Sequence, residues 1–247
     1  MTDMVYDAQT AADYRAARDI PLDGLTAWRE AITEAVPLHA GMTVLDVGAG
    51  TGGFATAFRD WFGVRVLAVE PAAAMRSLIH AGNGIEVLDG RGDALPVPDG
   101  SADAAWLGSV IHHLPDLEAA ARELRRALKP GAPVLIRNAF PGRCERDLRV
   151  RFFPETARGI DAYPSVDRVT AAFTAAGFDR TVLLRSLPHR AAPTLTAYAE
   201  RLRRDTDSKL RDLSDDAYAR GLARLRHAAA EHTHEPATSW MDLLVLA

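Results

Sequence analysis

Apolar residues between positions 8 and 36 recur at helical spacing, and Pro21 with Gly24 interrupts them, which predicts two helices before any strand. At Thr43 the period changes. Thr43-Val44-Leu45-Asp46-Val47 is a short, mostly apolar run that stops at a glycine cluster, as a strand buried on both faces does. Helix is expected over Phe54–Phe62, strand over Val64–Val69, and helix over Pro71–His80 with proline in its first turn. Ile85–Leu88 reads as a third strand and Ala102–Leu107 as a fourth. Asp116–Leu128 reads as a helix closed by Lys129-Pro130-Gly131, and Val134–Ile136 as a fifth strand. Strand and helix thus alternate five times, which predicts an α/β fold with a doubly wound, mostly parallel sheet.

Beyond residue 140 the rhythm loosens. Helix is expected over Val166–Ala176 with Gly177 as its stop, strand over Phe178–Leu184, charged helices over Thr194–Arg204 and Asp215–Glu231, and a last strand over Ser239–Leu246. No linker is long or polar enough to divide the chain. One domain over 1–247 is expected, with its core at about 40–140, an N-terminal helical cap at 1–38, and substrate-side additions at about 140–165 and 188–236.

Composition narrows the function classes. The chain has 29 Lys and Arg against 33 Asp and Glu, a net charge of −4, and 48% hydrophobic residues. A nucleic-acid binder needs clustered basic residues in excess, so the charge argues against that partner. The single cysteine, Cys144, rules out an internal disulfide and an all-cysteine metal site. No apolar run approaches the roughly 20 residues of a membrane span. The polar start MTDMVYDAQT is unlike a secretory signal, so a cytoplasmic location is expected. His112, His113 and Asp116, and separately His227, Glu231, His232, His234 and Glu235, are ligand-type residues without a recognised metal spacing, so no metal is expected.

Residues 44–53, Val-Leu-Asp-Val-Gly-Ala-Gly-Thr-Gly-Gly, carry the strongest chemical signal. A strand runs into a glycine turn that opens a helix, at the edge where open α/β sheets bind ligands. Two cofactors compete for it. Gly48, Gly50 and Gly53 satisfy G-x-G-x-x-G, and Glu70 lies at about the distance of a ribose-binding acid, which is the NAD-type reading. Asp46 to Gly52 satisfies D-x-G-x-G-x-G, the S-adenosylmethionine reading. Asp46 favours the second, because a carboxylate two residues before the first glycine can orient the loop and help neutralise an amino group.

With the segments that follow, the sequence resembles the class I S-adenosylmethionine-dependent methyltransferases, within the small-molecule group that includes the ubiquinone/menaquinone-type enzymes. The resemblance covers about residues 40–140. It rests on Val44–Gly52, on Val69-Glu70-Pro71 with Met75, on Gly90–Pro96, on Asp103–Leu114 ending in His112-His113-Leu114, and on Leu124–Gly131. It implies a Rossmann-like, seven-stranded, mostly parallel sheet with the last strand antiparallel and with lid helices added at both ends. It also implies S-adenosyl-L-methionine as cofactor and a small-molecule methyl acceptor. Asp46, Gly48, Ala49, Gly50 and Gly52 would surround the methionine part, and Glu70, followed by Pro71, would accept from both ribose hydroxyls. Gly92, Asp93 or Ala94 would meet the adenine, although counting back from Leu95-Pro96 gives a second register that puts Gly90 and Arg91 in those roles. The Leu107 carbonyl would meet the amino group, and Tyr14 or Arg18 would close the site from the N-terminal cap.

Methyl transfer from a sulfonium needs alignment and a dry site more than acid–base help. Where a base is needed, His113 and His112 are the candidates, with His113 preferred because Leu114 beside it is expected to pack inward. Phe140, Phe152, Phe153, Tyr163 and Trp240 suit a planar acceptor or the core, and Arg143, Arg149 and Arg151 suit an anionic one. A lowered pKa for Cys144 beside Arg143 is the alternative to a structural thiol. Two other function classes stay open: an NAD-dependent oxidoreductase, and a protein that binds S-adenosylmethionine without turnover.

Overall fold

A computed structural model describes residues 22–205 and 207–247. Seven strands form one sheet: β1 (Thr43–Val47), β2 (Arg65–Val69), β3 (Ile85–Leu88), β4 (Ala104–Gly108), β5 (Val134–Asn138), β6 (Thr181–Ala192) and β7 (Ala237–Leu246). Their order is β3-β2-β1-β4-β5-β7-β6. The first five are mutually parallel and β7 runs antiparallel to both its neighbours. The chain builds outward from β1 to β3 and then returns to lay β4 on the other side of β1. A crevice therefore opens past the carboxyl ends of β1 and β4, the usual ligand position in open sheets.

The inner strands β1, β2, β4 and β5 read as mostly apolar runs because both faces are covered. On one face Leu45, Leu67, Leu107, Ile136 and Leu244 pack under α4 (Leu117–Ala127) and α7 (Val166–Ala175). On the other, Val44, Val66, Trp106, Leu135 and Val245 pack under α1 (Thr26–Ala35) and α2 (Gly53–Phe62). α4 shows how the sequence dictates its own helix. Asp116 caps it by accepting from the Ala119 amide at 2.8 Å, and its buried residues, Leu117, Ala120, Ala121, Leu124 and Ala127, fall three and four apart. Opposite, Trp106 is fully buried and meets Trp28 of α1 edge-on at 6.3 Å and Phe54 of α2 at 4.5 Å.

Elements after β5 form a third apolar cluster outside the sheet. α5 (Leu148–Phe152), which α6 (Ala157–Asp161) follows in the chain, buries Leu148 and Phe153 together with Leu195, Leu210 and Leu225 from α8 (Leu195–Arg201), α9 (Ser208–Arg211) and α10 (Asp215–Glu231). Gly221 lets α10 sit directly on the Phe153 ring, where any Cβ would collide.

The structure departs from the sequence reading at three elements. The expected helix 71–80 shrinks to α3 (Ala73–Arg76), because the chain bends to lay Ile79 against Gly52 before the Gly82-Asn83-Gly84 turn. The strand expected over 178–184 runs instead over Thr181–Ala192, paired along nearly all of the long β7 and carrying Pro188, which an edge strand tolerates. The helix expected to reach Arg204 stops at Arg201. Among the described residues no helix is long and apolar enough to cross a membrane.

Candidate active site

The crevice is built around the turn between β1 and α2. The Gly48 and Ala49 amides donate to the Val69 carbonyl at 2.8 and 3.1 Å, tying the turn to the end of β2. Gly48, at φ +69°, faces Val110 so closely that a Cβ would collide with it. Gly50, at φ +57°, has nothing within 4 Å of where a Cβ would stand. The first glycine is therefore required by packing and the second by backbone conformation, with open space above it.

Two buried carboxyls face this turn from beneath. Glu70, 7% exposed at the end of β2, accepts from the Gly50 amide at 2.8 Å and the Ala72 amide at 2.9 Å. Burial raises its pKa, against the pull of those two amides and of Arg76. Asp46, 2% exposed, has its carboxyl pushed up to about 7, first by burial and then by Glu70, while the Ala55 N–H pulls the other way. Its Oδ2 has no hydrogen-bond partner among the described residues. An orphaned acceptor beneath a glycine turn, next to a second carboxylate with unused lone pairs, fits a ligand carrying an ammonium group and a vicinal diol. S-adenosylmethionine has both groups.

The remaining walls come from three loops. In the loop after β3, Gly92 is buried against Leu114, and Asp93 is paired with Arg91 at 2.6 Å. That pairing holds the Asp93 carboxyl below its ordinary value. The Leu95 amide donates to Glu123 at 2.8 Å, which braces the loop on α4, and Ala94 is exposed. Leu107 sends its side chain into the core, leaving only its backbone for a ligand. Past β4, Val110 meets Gly48 and Leu114 meets Gly92, so the short helical turn Ile111–His113 bridges both ligand-side loops. Pro71 is exposed just beyond Glu70. Tyr14 and Arg18 lie outside the described residues.

The two histidines are treated differently. His113 is exposed, whereas His112 is half-buried, stacks on Tyr163 at 4.0 Å and 13°, and sets its Nδ1 3.1 Å from Asn138 Oδ1. Geometry thus favours His112 over the expected His113. Sequence reasoning also passed over the polar end of β5. Arg137 is buried against Trp28 and Phe54, donates to Ser109 Oγ at 3.1 Å, and belongs to a strand whose other residues are apolar except Asn138. Ser109 holds φ +60°, a rare conformation for a residue with a side chain, immediately after β4. The signal was the pair Arg137-Asn138 closing an otherwise apolar run.

The arginines considered for an anionic acceptor are committed elsewhere. Arg143 grips buried Asp242 through two nitrogens at 2.7 and 3.1 Å, Arg149 pairs with Asp207, and Arg151 pairs with Glu235 at 2.7 Å. Phe140, Phe152 and Phe153 are core, and Trp240 lies under the Arg146 guanidinium. Cys144 is buried with its thiol pushed up, by burial first and by Glu145 next, which overturns the lowered-pKa reading. Among the described residues no group of His, Cys, Asp and Glu could hold a metal ion, and His227 pairs with Glu231 along α10.

Known proteins share part of this sequence and this fold. Residues 45–136 match the family described as "Methyltransferase domain". The chain is 30% identical over 142 residues to the ubiquinone/menaquinone biosynthesis C-methyltransferase UbiE of Hahella chejuensis, covering 53% of this chain and 57% of that one. It spans about half the length of the relatives it matches. Among solved structures, a putative methyltransferase from Anabaena variabilis superposes with TM-score 0.68 at 20% identity, over 94% of this chain and 99% of that one. Phosphoethanolamine N-methyltransferase 2 of Haemonchus contortus, solved in complex with S-adenosyl-L-methionine, superposes with TM-score 0.61 at 18% identity, over 99% and 58%. Residues 45–136 of this chain thus match the methyltransferase-domain family, the chain is similar to the UbiE-type enzymes, and its fold is that of the solved methyltransferases.

Proposed function

We propose that this chain transfers the methyl group of S-adenosyl-L-methionine to oxygen, nitrogen or carbon of a small-molecule metabolite, and that it does so in the cytoplasm. The observation that carries the reading is the buried pair Asp46 and Glu70 beneath the Gly48–Gly52 turn, with Asp46 Oδ2 left without a partner among the described residues. Bound there, the cofactor supplies a methyl group already activated on a sulfonium. Asp46 gives up its proton to meet the amino group, and the burial that raises its pKa makes the exchanged charge pair strong. Glu70 keeps its two amide bonds and accepts from the ribose with its remaining lone pairs. Gly92, Asp93 or Ala94 contacts the adenine, the Leu107 carbonyl accepts from the amino group, and the 111–113 turn covers the reacting atoms.

A test is to incubate the chain with S-adenosylmethionine and acceptors presenting hydroxyl, amine or activated carbon, and to follow release of S-adenosylhomocysteine. Acceptor-dependent release, lost in Glu70→Ala, supports the proposal. Tight binding of the cofactor with no release over the whole panel favours the non-catalytic reading.

A further inference from the structure

β7 outruns β5 at the crevice. β5 pairs with it only over Asp242–Leu246, Asn138 facing Asp242, whereas β6 stays paired with it up to Ala237. Ala237–Met241 and their β6 partners, Leu187–Ala192, therefore stand past the carboxyl edge of the sheet as a two-stranded ribbon, on the side where ligands bind. The segment after β5 runs along this ribbon and is fixed to it rung by rung. Arg143 grips Asp242, Arg146 lies on Trp240, and the Leu148 amide donates to Ser239 Oγ at 3.0 Å. Trp240 and Asp242 are two apart on one strand and so share a face.

Of the arginines at 143, 146, 149 and 151, all but Arg146 hold a carboxylate: Arg143 has Asp242, Arg149 has Asp207 and Arg151 has Glu235. The Arg146 guanidinium stands 3.0 Å from the centre of the Trp240 ring, is exposed, and has no acid or hydrogen-bond partner among the described residues. Stacking occupies one face of the guanidinium and leaves its in-plane N–H fork open. The ring also holds the fork in place, so less order is lost when an anion arrives. The additions at 140–165 and 188–236 hold 14 Lys and Arg against 12 Asp and Glu in a chain of net charge −4, so the field on this side favours an anion.

We infer that Arg146, held on Trp240, binds a carboxylate of the methyl acceptor, so that the acceptor is a small carboxylic acid. The inference rests on the proposed methyl transfer and adds the charge by which the acceptor is held. A guanidinium fork matches the two oxygens of a carboxylate. One cation balances one charge, and the neighbouring arginines already hold acids, which favours a carboxylate over a doubly charged phosphate. The cofactor does not compete for this fork, because its amino-acid end is read at Asp46 on β1, and β4 and β5 lie between that strand and β7. Arg146 is thus a specificity residue remote from the reacting atoms. It selects the acceptor and takes no part in the transfer.

The test needs no turnover. The full chain is saturated with S-adenosylhomocysteine, and benzoate, cinnamate, indole-3-acetate and octanoate are each titrated against their primary amides by ligand-observed NMR at neutral pH. An amide keeps the shape of the acid and lacks its charge. At least one acid is expected to bind the wild type about tenfold or more tighter than its amide. Arg146→Gln is expected to erase that preference with the Kd for S-adenosylhomocysteine unchanged. Arg146→Lys is expected to fall between the two, because it keeps the charge and loses the fork. A merely structural Arg146 would shift acid and amide together. No preference for the acid in any of the four pairs, a preference that survives in Arg146→Gln, or weaker S-adenosylhomocysteine binding in that variant overturns the inference. Failure of S-adenosylhomocysteine to bind the wild type overturns the methyltransferase reading, and this inference with it, in a separate titration.

Discussion

Replacing Asp46 by Asn should make the protein more stable at high pH relative to wild type, and the size of the effect follows from where Asp46 titrates. Its carboxyl is pushed up to about 7 in the folded chain from an ordinary 3.8. Between those values the folded state holds a proton that the unfolded chain has released. The folded state therefore binds more protons, and stability falls as pH rises through that window. Each pH unit is worth about 1.36 kcal/mol, so the two units from pH 5 to pH 7 cost about 3 kcal/mol. Asn does not titrate. Its amide keeps the Ala55 contact and leaves one buried donor unsatisfied, at about 1–3 kcal/mol independent of pH. Relative to wild type, Asp46→Asn should gain about 3 kcal/mol between pH 5 and pH 8. For a chain of this size that is a relative change of roughly 6–12 °C in melting temperature. His189 is buried with its pKa held well below 6.5, chiefly by burial and then by Arg137, so it costs stability as pH falls. That slope is common to both proteins and cancels in the difference. Urea denaturation of both at pH 5, 6, 7 and 8 measures it. Parallel stability curves would refute the reasoning, because they would mean that Asp46 is ionised at its ordinary pH in the folded chain. The same variant should bind S-adenosylmethionine more weakly, since an amide cannot neutralise the amino group.

Other outcomes follow from the same geometry. Gly48→Ala should destabilise the fold by at least about 1–3 kcal/mol, because it adds a collision with Val110 to a left-handed backbone, whereas Gly50→Ala should cost only about 1–2 kcal/mol of strain yet weaken S-adenosylhomocysteine in calorimetry. Gly221→Ala inside α10 should lower the melting temperature, reversing the usual gain of about 1 kcal/mol for this exchange, because the methyl group meets the Phe153 ring. Cys144 should react with Ellman's reagent far more slowly in the native protein than in denaturant, its thiol being buried and its pKa raised.

The middle of the sheet was legible because β1, β2, β4 and β5 are buried on both faces, so each is a mostly apolar run bounded by a turn. The switch in period at Thr43 located β1, and β3 and α10 were placed within their observed bounds. The helix after β2 was overestimated because its residues have good helical character, while its length was decided by the contact between Ile79 and Gly52. β6 was underestimated for a related reason: pairing with β7, not composition, carries it past Pro188. In the site, Asp46 and Glu70 stood out because carboxylates are costly at the ends of buried strands. The setting of His112 was not legible, since Asn138 and Tyr163 reach it from about 26 and about 51 residues further along the chain, and no local spacing encodes such contacts.

The most direct test of the account is parallel calorimetry of the full chain with S-adenosylmethionine, S-adenosylhomocysteine and NAD, repeated on Glu70→Ala. The adenosyl ligands should bind and NAD should not, and the variant should weaken binding by at least about tenfold, the loss expected for one charge-assisted hydrogen bond of about 1.5–3 kcal/mol. Binding of NAD alone would contradict the account and return the glycine turn to the dinucleotide reading.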